Sequence, residues 1–327
     1  MNRKLFMTVL AAGFIAAGCS GGSDNEETQN TEAPEEEAAE QETVAENSAE
    51  EDFLVPFDET LTHVHGMGYI ESEGALYFAS HTGLKIYRDG DWFETDGMYN
   101  DYMGFNAVDE GFYTSGHPGV DSDLPNPIGI QRSTDGGQSL ESLVLEGETD
   151  FHWMAVGYRS HDLFVMNPQA NSIMETGFYL SENAGEGWQR LEPQGLDGDL
   201  MALAIHPEDS QLLAAASSTG VFLSKDGGTT FERLTEDGEF GTAVHFTESE
   251  LLYASHGSEA ALKSYVLDSD AGEAFEIPEL GEDGIVFISV NPADEQEIAI
   301  YTVQGDAYVS SDEGTSWTTI LEKGQIQ

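Results

Sequence analysis

Six copies of one short pattern, almost evenly spaced, constrain the fold of this chain more than any other feature of its sequence. Four copies read Ser-x-Asp/Asn-x-Gly, with a large apolar residue three positions after the glycine. The copy around Asp270 is degenerate, and the copy around Asp89 is shortened. The six central residues are Asp89, Asp135, Asn183, Asp226, Asp270 and Asp312. They lie 46, 48, 43, 44 and 42 residues apart, a period typical of propellers and solenoids.

Short apolar runs separated by turn residues precede the copies of this pattern. Before Asp226, for example, the runs cover residues 201–205, 212–216 and 220–224, and a fourth short strand follows the pattern itself. Four short strands in each repeat are typical of propeller blades. The sequence therefore predicts an all-β fold, a six-bladed β-propeller. Residues 53–57 supply one further run, so a seven-bladed ring is the alternative.

The pattern resembles the Asp-box, or BNR, repeat, from about residue 60 to residue 321. The resemblance implies that each copy forms the turn between the third and fourth strands of a blade. There the acidic residue caps backbone amides and glycine adopts a positive φ. It implies a structural role for Asp135, Asn183, Asp226, Asp270 and Asp312. The domain is also similar to bacterial glycosylhydrolase-like lipoproteins, and comparable repeats occur in sortilin-like receptors and photosystem assembly factors.

The first 18 residues resemble a bacterial lipoprotein signal peptide. Arg3 and Lys4 precede an uncharged apolar run, 5–17, which is shorter than the roughly 20 residues of a membrane span. The run leads to Cys19, the only cysteine in the chain. The resemblance implies that residues 1–18 are removed and that Cys19 is lipidated. We therefore expect an exported protein, anchored by its lipid to the extracytoplasmic face of the cell membrane.

An acidic segment follows Cys19. Residues 24–52 contain 13 acidic residues and no basic or aromatic ones. Such a segment buries too little apolar surface to offset its conformational entropy. We therefore expect residues 19–52 to form a disordered linker and residues 53–327 to form the propeller.

The propeller domain is itself strongly acidic. Residues 53–327 carry 49 acidic residues and nine lysines and arginines, a formal charge of −40. Nucleic acids and anionic bilayers need basic clusters, so this composition excludes both as partners of the domain surface. Acidic surfaces of this density are used by halophilic proteins. We expect a monomer from a saline habitat, without disulfide bonds.

The order of strands in a blade determines which loops share a face of the propeller. If strands a to d run outward from the axis and pair antiparallel, the start of strand a and the b–c turn share one face. The repeat turns then lie on the other face. Six of the nine histidines map to the first face. They are His63, His65, His81, His117, His152 and His256.

These histidines are candidate metal ligands, because neutral imidazole is a common ligand of copper and zinc. His63 and His65 alternate along one strand, and Met67, Met103 and Met154 lie near the same mouth of the channel. His63, His65, His81, His117 and His152 form the predicted site. Two alternatives are that the rings only satisfy polar groups around a wet channel, or that they act in catalysis.

Glycoside hydrolysis is the enzymatic alternative. A sialidase needs an arginine cluster, but the domain has only five arginines, and Arg132, Arg190 and Arg233 map to the blade sheets rather than the mouth, which excludes that activity. A neutral-sugar glycosidase needs two carboxylates about 5–9.5 Å apart. The candidates on the histidine-bearing face are Asp101, Asp121, Asp123 and Asp150. A propeller fold does not define its chemistry, so a small ligand, a metal, a glycan and a protein are all candidate partners.

Overall fold

The computed structural model describes residues 53–327 and shows an all-β protein. Six antiparallel sheets surround a central axis as a six-bladed β-propeller, which confirms the predicted fold class. The predicted signal peptide, Cys19 and the acidic linker lie outside the described residues. Within residues 53–327, no helix has the length and apolar character needed to cross a membrane.

The described residues form 25 strands. In chain order they are β1 (Leu54–Pro56), β2 (Val64–Ile70), β3 (Ala75–Ser80), β4 (Gly83–Arg88), β5 (Asp91–Thr95), β6 (Asp101–Val108), β7 (Gly111–His117), β8 (Ile130–Ser133), β9 (Glu141–Val144), β10 (Met154–Val156), β11 (Leu163–Asn167), β12 (Gly177–Ser181), β13 (Gln189–Leu191), β14 (Leu200–Ile205), β15 (Leu213–Ser217), β16 (Gly220–Ser224), β17 (Glu232–Arg233), β18 (Phe240–Phe246), β19 (Glu250–His256), β20 (Ala260–Val266), β21 (Ile285–Asn291), β22 (Asp294–Thr302), β23 (Ala307–Ser310), β24 (Thr318–Glu322) and β25 (Gln325–Ile326).

Each blade is a continuous stretch of chain. Blade 1 contains β1–β5, blade 2 β6–β9, blade 3 β10–β13, blade 4 β14–β17, blade 5 β18–β20 and blade 6 β21–β25. The short strand β1 pairs with β5 at the outer edge of blade 1, so residues 53–57 add no seventh blade. Blade 5 has three regular strands, and the isolated bridges Lys263–Ala274 and Val266–Ala271 extend its outer edge.

Short-range hydrogen bonds stabilise the repeat turns, which are the turns formed by the copies of the sequence pattern. In blade 2, the Ser133 hydroxyl donates to Asp135 Oδ1 (2.8 Å) and accepts from the Gly137 amide (2.9 Å). Asp135 also accepts from the Ser139 amide and hydroxyl (3.0 and 2.6 Å). The turns around Asn183, Asp226 and Asp312 have the same two hydrogen bonds. In each turn the side chain of the central residue accepts from the serine hydroxyl and from the backbone N–H four residues later. Each of these turns therefore satisfies its own polar groups.

The turn around Asp270 differs, because Asp268 stands where the other turns have serine and no hydroxyl can donate at that position. The Asp270 carboxylate binds instead to the Lys225 ammonium of the neighbouring blade (2.6 Å) and to the Tyr265 hydroxyl (2.5 Å). This residue thus joins two blades rather than capping its own turn.

The ring closes between blades 6 and 1 by packing. One apolar cluster contains Phe57, Leu61 and Phe78 from the start of the domain and Tyr301 and Leu321 from its end. The Leu61 amide also donates to the Gly324 carbonyl (2.9 Å). No strand among residues 53–327 is exchanged between the first and last blades.

The strand directions define two faces. The histidine face carries the start of each innermost strand and the turn between the second and third strands of each blade. It includes His63, His65, His81, His117, His152 and His256. The repeat-turn face carries the turns around Asp135, Asn183, Asp226, Asp270 and Asp312. This is the arrangement predicted from strand order.

Candidate functional site

Two imidazoles and a carboxylate meet where blades 1 and 2 adjoin. His65 belongs to β2, His81 follows β3, and Asp101 begins β6 of the next blade. His65 Nε2 lies 3.3 Å from His81 Nδ1 and 3.8 Å from Asp101 Oδ1. His81 Nδ1 lies 2.9 Å from Asp101 Oδ1. These three residues, here called the blade 1–2 cluster, are placed so that one metal ion could contact all of them.

The backbone explains how His65 reaches this position. The pairing of β2 with β3 shifts register between Val64 and Gly66, so His65 is the extra residue of a β-bulge. A bulge releases a residue from the ladder and redirects its side chain. Gly66 lets the two blades approach closely, since a Cβ atom there would lie 2.7 Å from the Phe105 Cβ.

The electrostatics of the cluster favour neutral imidazole at His65. Burial lowers the pKa of His65, and the neighbouring His81 lowers it further, while Asp101 opposes both effects. His63 and His152 also lower this pKa, which places both of them within electrostatic range of His65. A neutral ring keeps a nitrogen lone pair free to bind a metal.

Asp101 keeps one buried carboxylate oxygen beside the two imidazoles. Its Oδ1 atom is buried, and it accepts no hydrogen bond from any residue of the described range, although His81 Nδ1 is 2.9 Å away. A buried carboxylate oxygen without a hydrogen bond is costly, so a cation beside it would be stabilising.

A second histidine–aspartate group lies between blades 2 and 3. Asp150 Oδ2 is 2.6 Å from His152 Nε2 and 3.3 Å from His117 Nε2. The other ring nitrogen of His117 is 2.7 Å from Asn126 Oδ1. The structure therefore divides four of the five predicted ligands into two pairs: His65 and His81 meet at Asp101, and His117 and His152 meet at Asp150.

The remaining candidates lie outside these two groups. His63 is exposed, and its ring centre lies 5.2 Å from that of His81. His256 stacks on Phe240, with ring centres 5.3 Å apart. Asp121 and Asp123 lie in the loop after β7, and neither forms an ion pair with a residue of the described range.

Sequence reasoning treated Asp101 and Asp150 as candidate catalytic carboxylates and missed their partnership with the histidines. A signal for it does exist in the sequence. In blades 1 and 2, a histidine ends strand b or follows it, and an aspartate stands at or just before the first strand of the next blade. The pairs are His81 with Asp101 and His117 with Asp150.

A central cavity of about 390 Å³ adjoins the blade 1–2 cluster. His65, His152 and the methionines Met67, Met103 and Met154 line it. At the repeat-turn end, the Arg159 guanidinium bonds to Glu71 of blade 1 and to Glu248 of blade 5 (both 3.4 Å). Because these acids belong to blades on different sides of the ring, Arg159 crosses the axis and obstructs that end.

Comparison with known proteins gives no matching family model. One curated relative, a xyloglucanase from Hypocrea jecorina strain QM6a, is 31% identical over 94 residues. That segment is 28% of this chain and 10% of the xyloglucanase, so the likeness spans a tenth of that relative's length.

Solved structures that resemble this chain are β-propellers of low sequence identity. The extracellular domain of a hybrid two-component system protein from B. thetaiotaomicron has a TM-score of 0.52 and 14% identity, covering 83% of this chain and 34% of that one. YCF48 from Cyanidioschyzon merolae has a TM-score of 0.50 and 14% identity, covering 84% and 90%. A GH74 xyloglucanase from Xanthomonas campestris has a TM-score of 0.49 and 15% identity, covering 82% and 46%. Together with the six sheets, the two likenesses with TM-scores of 0.52 and 0.50 identify the fold of this chain as a β-propeller.

Proposed function

We propose that this protein is an exported, lipid-anchored propeller of the Asp-box type that binds copper or zinc on its histidine face. The ligands are His65, His81 and Asp101. The observation that carries the proposal is the spacing of their donor atoms, 2.9, 3.3 and 3.8 Å.

These spacings fit a single coordination sphere. Zinc binds imidazole nitrogen and carboxylate oxygen at about 2.0–2.2 Å, so two ligands of one tetrahedral ion lie about 3.3–3.5 Å apart. Small side-chain rotations would bring the three donors to one face of a tetrahedron and leave the fourth position open. A cation there would also neutralise the buried Asp101 oxygen. Either copper or zinc suits two imidazoles and a carboxylate.

Metal titration of the purified protein tests this proposal. After treatment with a chelator, we expect one equivalent of zinc or copper to bind and to raise the melting temperature. His81→Ala and Asp101→Asn should each abolish that rise. His256→Asn is the matched control, because His256 ends the second strand of blade 5, close to the position that His81 occupies in blade 1. Full metal binding by the His81→Ala variant would contradict the proposal.

Membrane attachment through Cys19 is the second part of the proposal. It is supported by the basic start, the short apolar run and the single cysteine of the sequence. Cell fractionation tests it: the wild-type protein should sediment with membranes and incorporate labelled fatty acid. Cys19→Ser should lose the label and the attachment, and a labelled Cys19→Ser protein would contradict this part.

Hydrolysis of a neutral polysaccharide is a second candidate function, favoured by the 94-residue likeness to a xyloglucanase. Asp101 and Asp150 each keep one buried oxygen that accepts no hydrogen bond within residues 53–327. Release of reducing ends from xyloglucan tests this function. A metal-independent activity that is lost in both Asp101→Asn and Asp150→Asn would favour hydrolysis over metal binding.

A further inference from the structure

Exposed apolar side chains are confined to one face of the propeller. Six large apolar residues are exposed within residues 53–327, and every one lies on the histidine face. They are Tyr99, Val120, Ile173, Met201, Phe240 and Val303. Single exposed apolar residues are normal, but segregation of all of them to one side is typical of an interaction surface.

Two of these residues lie in blades 4 and 5, on the side of the ring opposite the blade 1–2 cluster. Met201 lies near the start of β14 in blade 4 and lines the cavity, and it is 51% exposed. Phe240 begins β18 in blade 5, and its ring stacks on His256. In a ring of six blades, the junction of blades 4 and 5 is diametrically opposite the junction of blades 1 and 2.

The loops around this apolar pair are acidic. Three loops of the histidine face, 192–199, 234–239 and 277–284, each contain three acidic residues and no lysine or arginine. Three of the nine are neutralised by basic residues of the sheets, because Arg190 pairs with Glu192, Arg233 with Asp237 and Lys263 with Glu239. Most of the negative charge around Met201 and Phe240 therefore has no basic partner in this half of the face.

We propose that the blade 4–5 half of the histidine face binds a cationic polypeptide segment that carries a bulky apolar side chain. The apolar side chain contacts Met201 at the rim of the cavity and Phe240 at the start of the neighbouring blade, and lysines or arginines of the segment pair with the acidic loops. Methionine suits this role because its flexible side chain adapts to different partners. Complementary charge accelerates association and selects the partner.

Charge argues against other occupants of this surface. A second copy of the chain would bring two domains of formal charge −40 together, and an anionic bilayer would be repelled in the same way. A basic segment is attracted by the same negative charge. This surface lies apart from the metal ligands, so the inference goes beyond metal binding and does not rest on it.

Peptide binding by the full-length protein tests the proposal. The probe is a fluorescent heptapeptide of alternating lysine with leucine and tryptophan. Two matched peptides replace either all lysines by glutamate or all apolar residues by serine. We expect micromolar binding of the first peptide, at least tenfold tighter than that of either matched peptide, and weaker at high salt.

Variants separate a specific surface from general attraction to an acidic protein. Met201→Ser with Phe240→Ser should weaken binding at least tenfold, with an unchanged circular dichroism spectrum. Val120→Ser, on the opposite half of the same face, should leave binding unchanged. Glu279→Gln with Glu282→Gln should weaken binding and reduce its salt dependence, whereas Glu186→Gln with Glu313→Gln, on the repeat-turn face, should do neither.

Three results would overturn the proposal. The first is equal affinity for the apolar and serine-substituted basic peptides, which would show only charge attraction. The second is unchanged binding in the Met201/Phe240 double variant. The third is equal loss of binding in the two glutamine double variants. Loss of metal binding in His65→Ala should leave peptide binding intact, so the failure of one proposal is distinguishable from the failure of the other.

Discussion

His65 and Met201 occupy the same place in blades 1 and 4, on opposite sides of the ring. Each is the extra residue of a β-bulge near the start of the innermost strand, between Val64 and Gly66 in blade 1 and between Leu200 and Ala202 in blade 4. The bulge turns a polar ring toward Asp101 on one side and an apolar chain toward the mouth on the other. The same type of bulge therefore presents a polar side chain in blade 1 and an apolar side chain in blade 4. Residues of the neighbouring blade determine what each side chain can bind.

Exchanging the side chains of His65 and Met201 tests this comparison, and we expect it to have the largest effect. His65→Met should weaken zinc binding by more than about 100-fold, because loss of even an outer-shell partner costs 10–100-fold. Met201→His should create no new site, since blade 5 offers no aspartate at the position of Asp101. Isothermal titration with zinc measures both. Tight zinc binding by a Met201→His variant that also lacks His65 would show that the bulge suffices without the carboxylate.

The inner strands of blades 1 and 4 also differ in their packing. Gly68 of β2 packs against β6, and a Cβ atom there would lie 2.6 Å from the Ala107 Cβ. Ala204 holds the equivalent place in β14. Gly68→Ala should lower the free energy of unfolding by about 1–3 kcal/mol through overpacking. Ala204→Gly should cost only about 0.5–1 kcal/mol, and denaturant unfolding compares them. A stabilised Gly68→Ala variant would contradict the close approach of blades 1 and 2.

A histidine of blade 5 provides a third comparison, with the histidines of blades 1–3. Burial lowers the pKa of His245 to about 4, and its Nε2 accepts from the Val290 amide (3.3 Å). Its neutral form contributes stability above pH 6.5, and that contribution disappears as the pH falls toward 4. Because the ring borders the cavity, we expect a loss of about 2 kcal/mol, less than the full shift implies.

His245→Gln serves as the reference for this measurement. Between pH 6.5 and pH 4, wild-type protein should lose about 2 kcal/mol more stability than the variant. Measuring the difference cancels the titration of the many acidic residues, which both proteins share. Parallel pH profiles would show that folding does not lower the pKa of His245.

Substitutions on the repeat-turn face should change the free energy of unfolding the least. Asp135→Ala removes an acceptor of three hydrogen bonds and should lower the free energy of unfolding by about 1–2 kcal/mol. Asp270→Ala breaks an exposed contact with Lys225 and should cost less, because exposed ion pairs contribute little. Thermal unfolding in moderate salt distinguishes them. An equal cost would mean that the degenerate copy stabilises its blade as the complete copies do.

The repeat determined most of what could be predicted about this fold. Near-constant spacing gives the blade count, and strand alternation gives the face on which each histidine lies. The partners of His81 and His117 could not be predicted, because Asp101 and Asp150 approach them across a blade junction. With 49 acidic residues in the domain, proximity in sequence cannot identify which carboxylate a ring will meet. The distance between blades depends on residues such as Gly66, whose effect appears only in three dimensions.

The placement of β1 was open for a related reason. Residues 53–57 have the composition of a strand, but a strand of three residues fits equally at the edge of an existing sheet or in a new one. The structure places it on β5, next to a complete blade. Likewise, the degenerate copy around Asp270 indicates a turn but not the loss of a regular fourth strand from blade 5.

The closure between blades 6 and 1 has a consequence for how this molecule opens. Covalent loops join every other pair of neighbouring blades, whereas this junction depends on the side chains around Tyr301 and on hydrogen bonds from Leu61 to Gly324 and from Tyr69 to Ser289 and Glu297. Because no covalent loop crosses this junction, we expect local opening there to expose the amide hydrogens of β2 and β21 to exchange. A metal at His65, His81 and Asp101 would tie blade 1 to blade 2 and leave the junction of blades 6 and 1 unprotected. We therefore expect metal binding to slow amide exchange at the junction of blades 1 and 2 and to leave exchange at the junction of blades 6 and 1 unchanged.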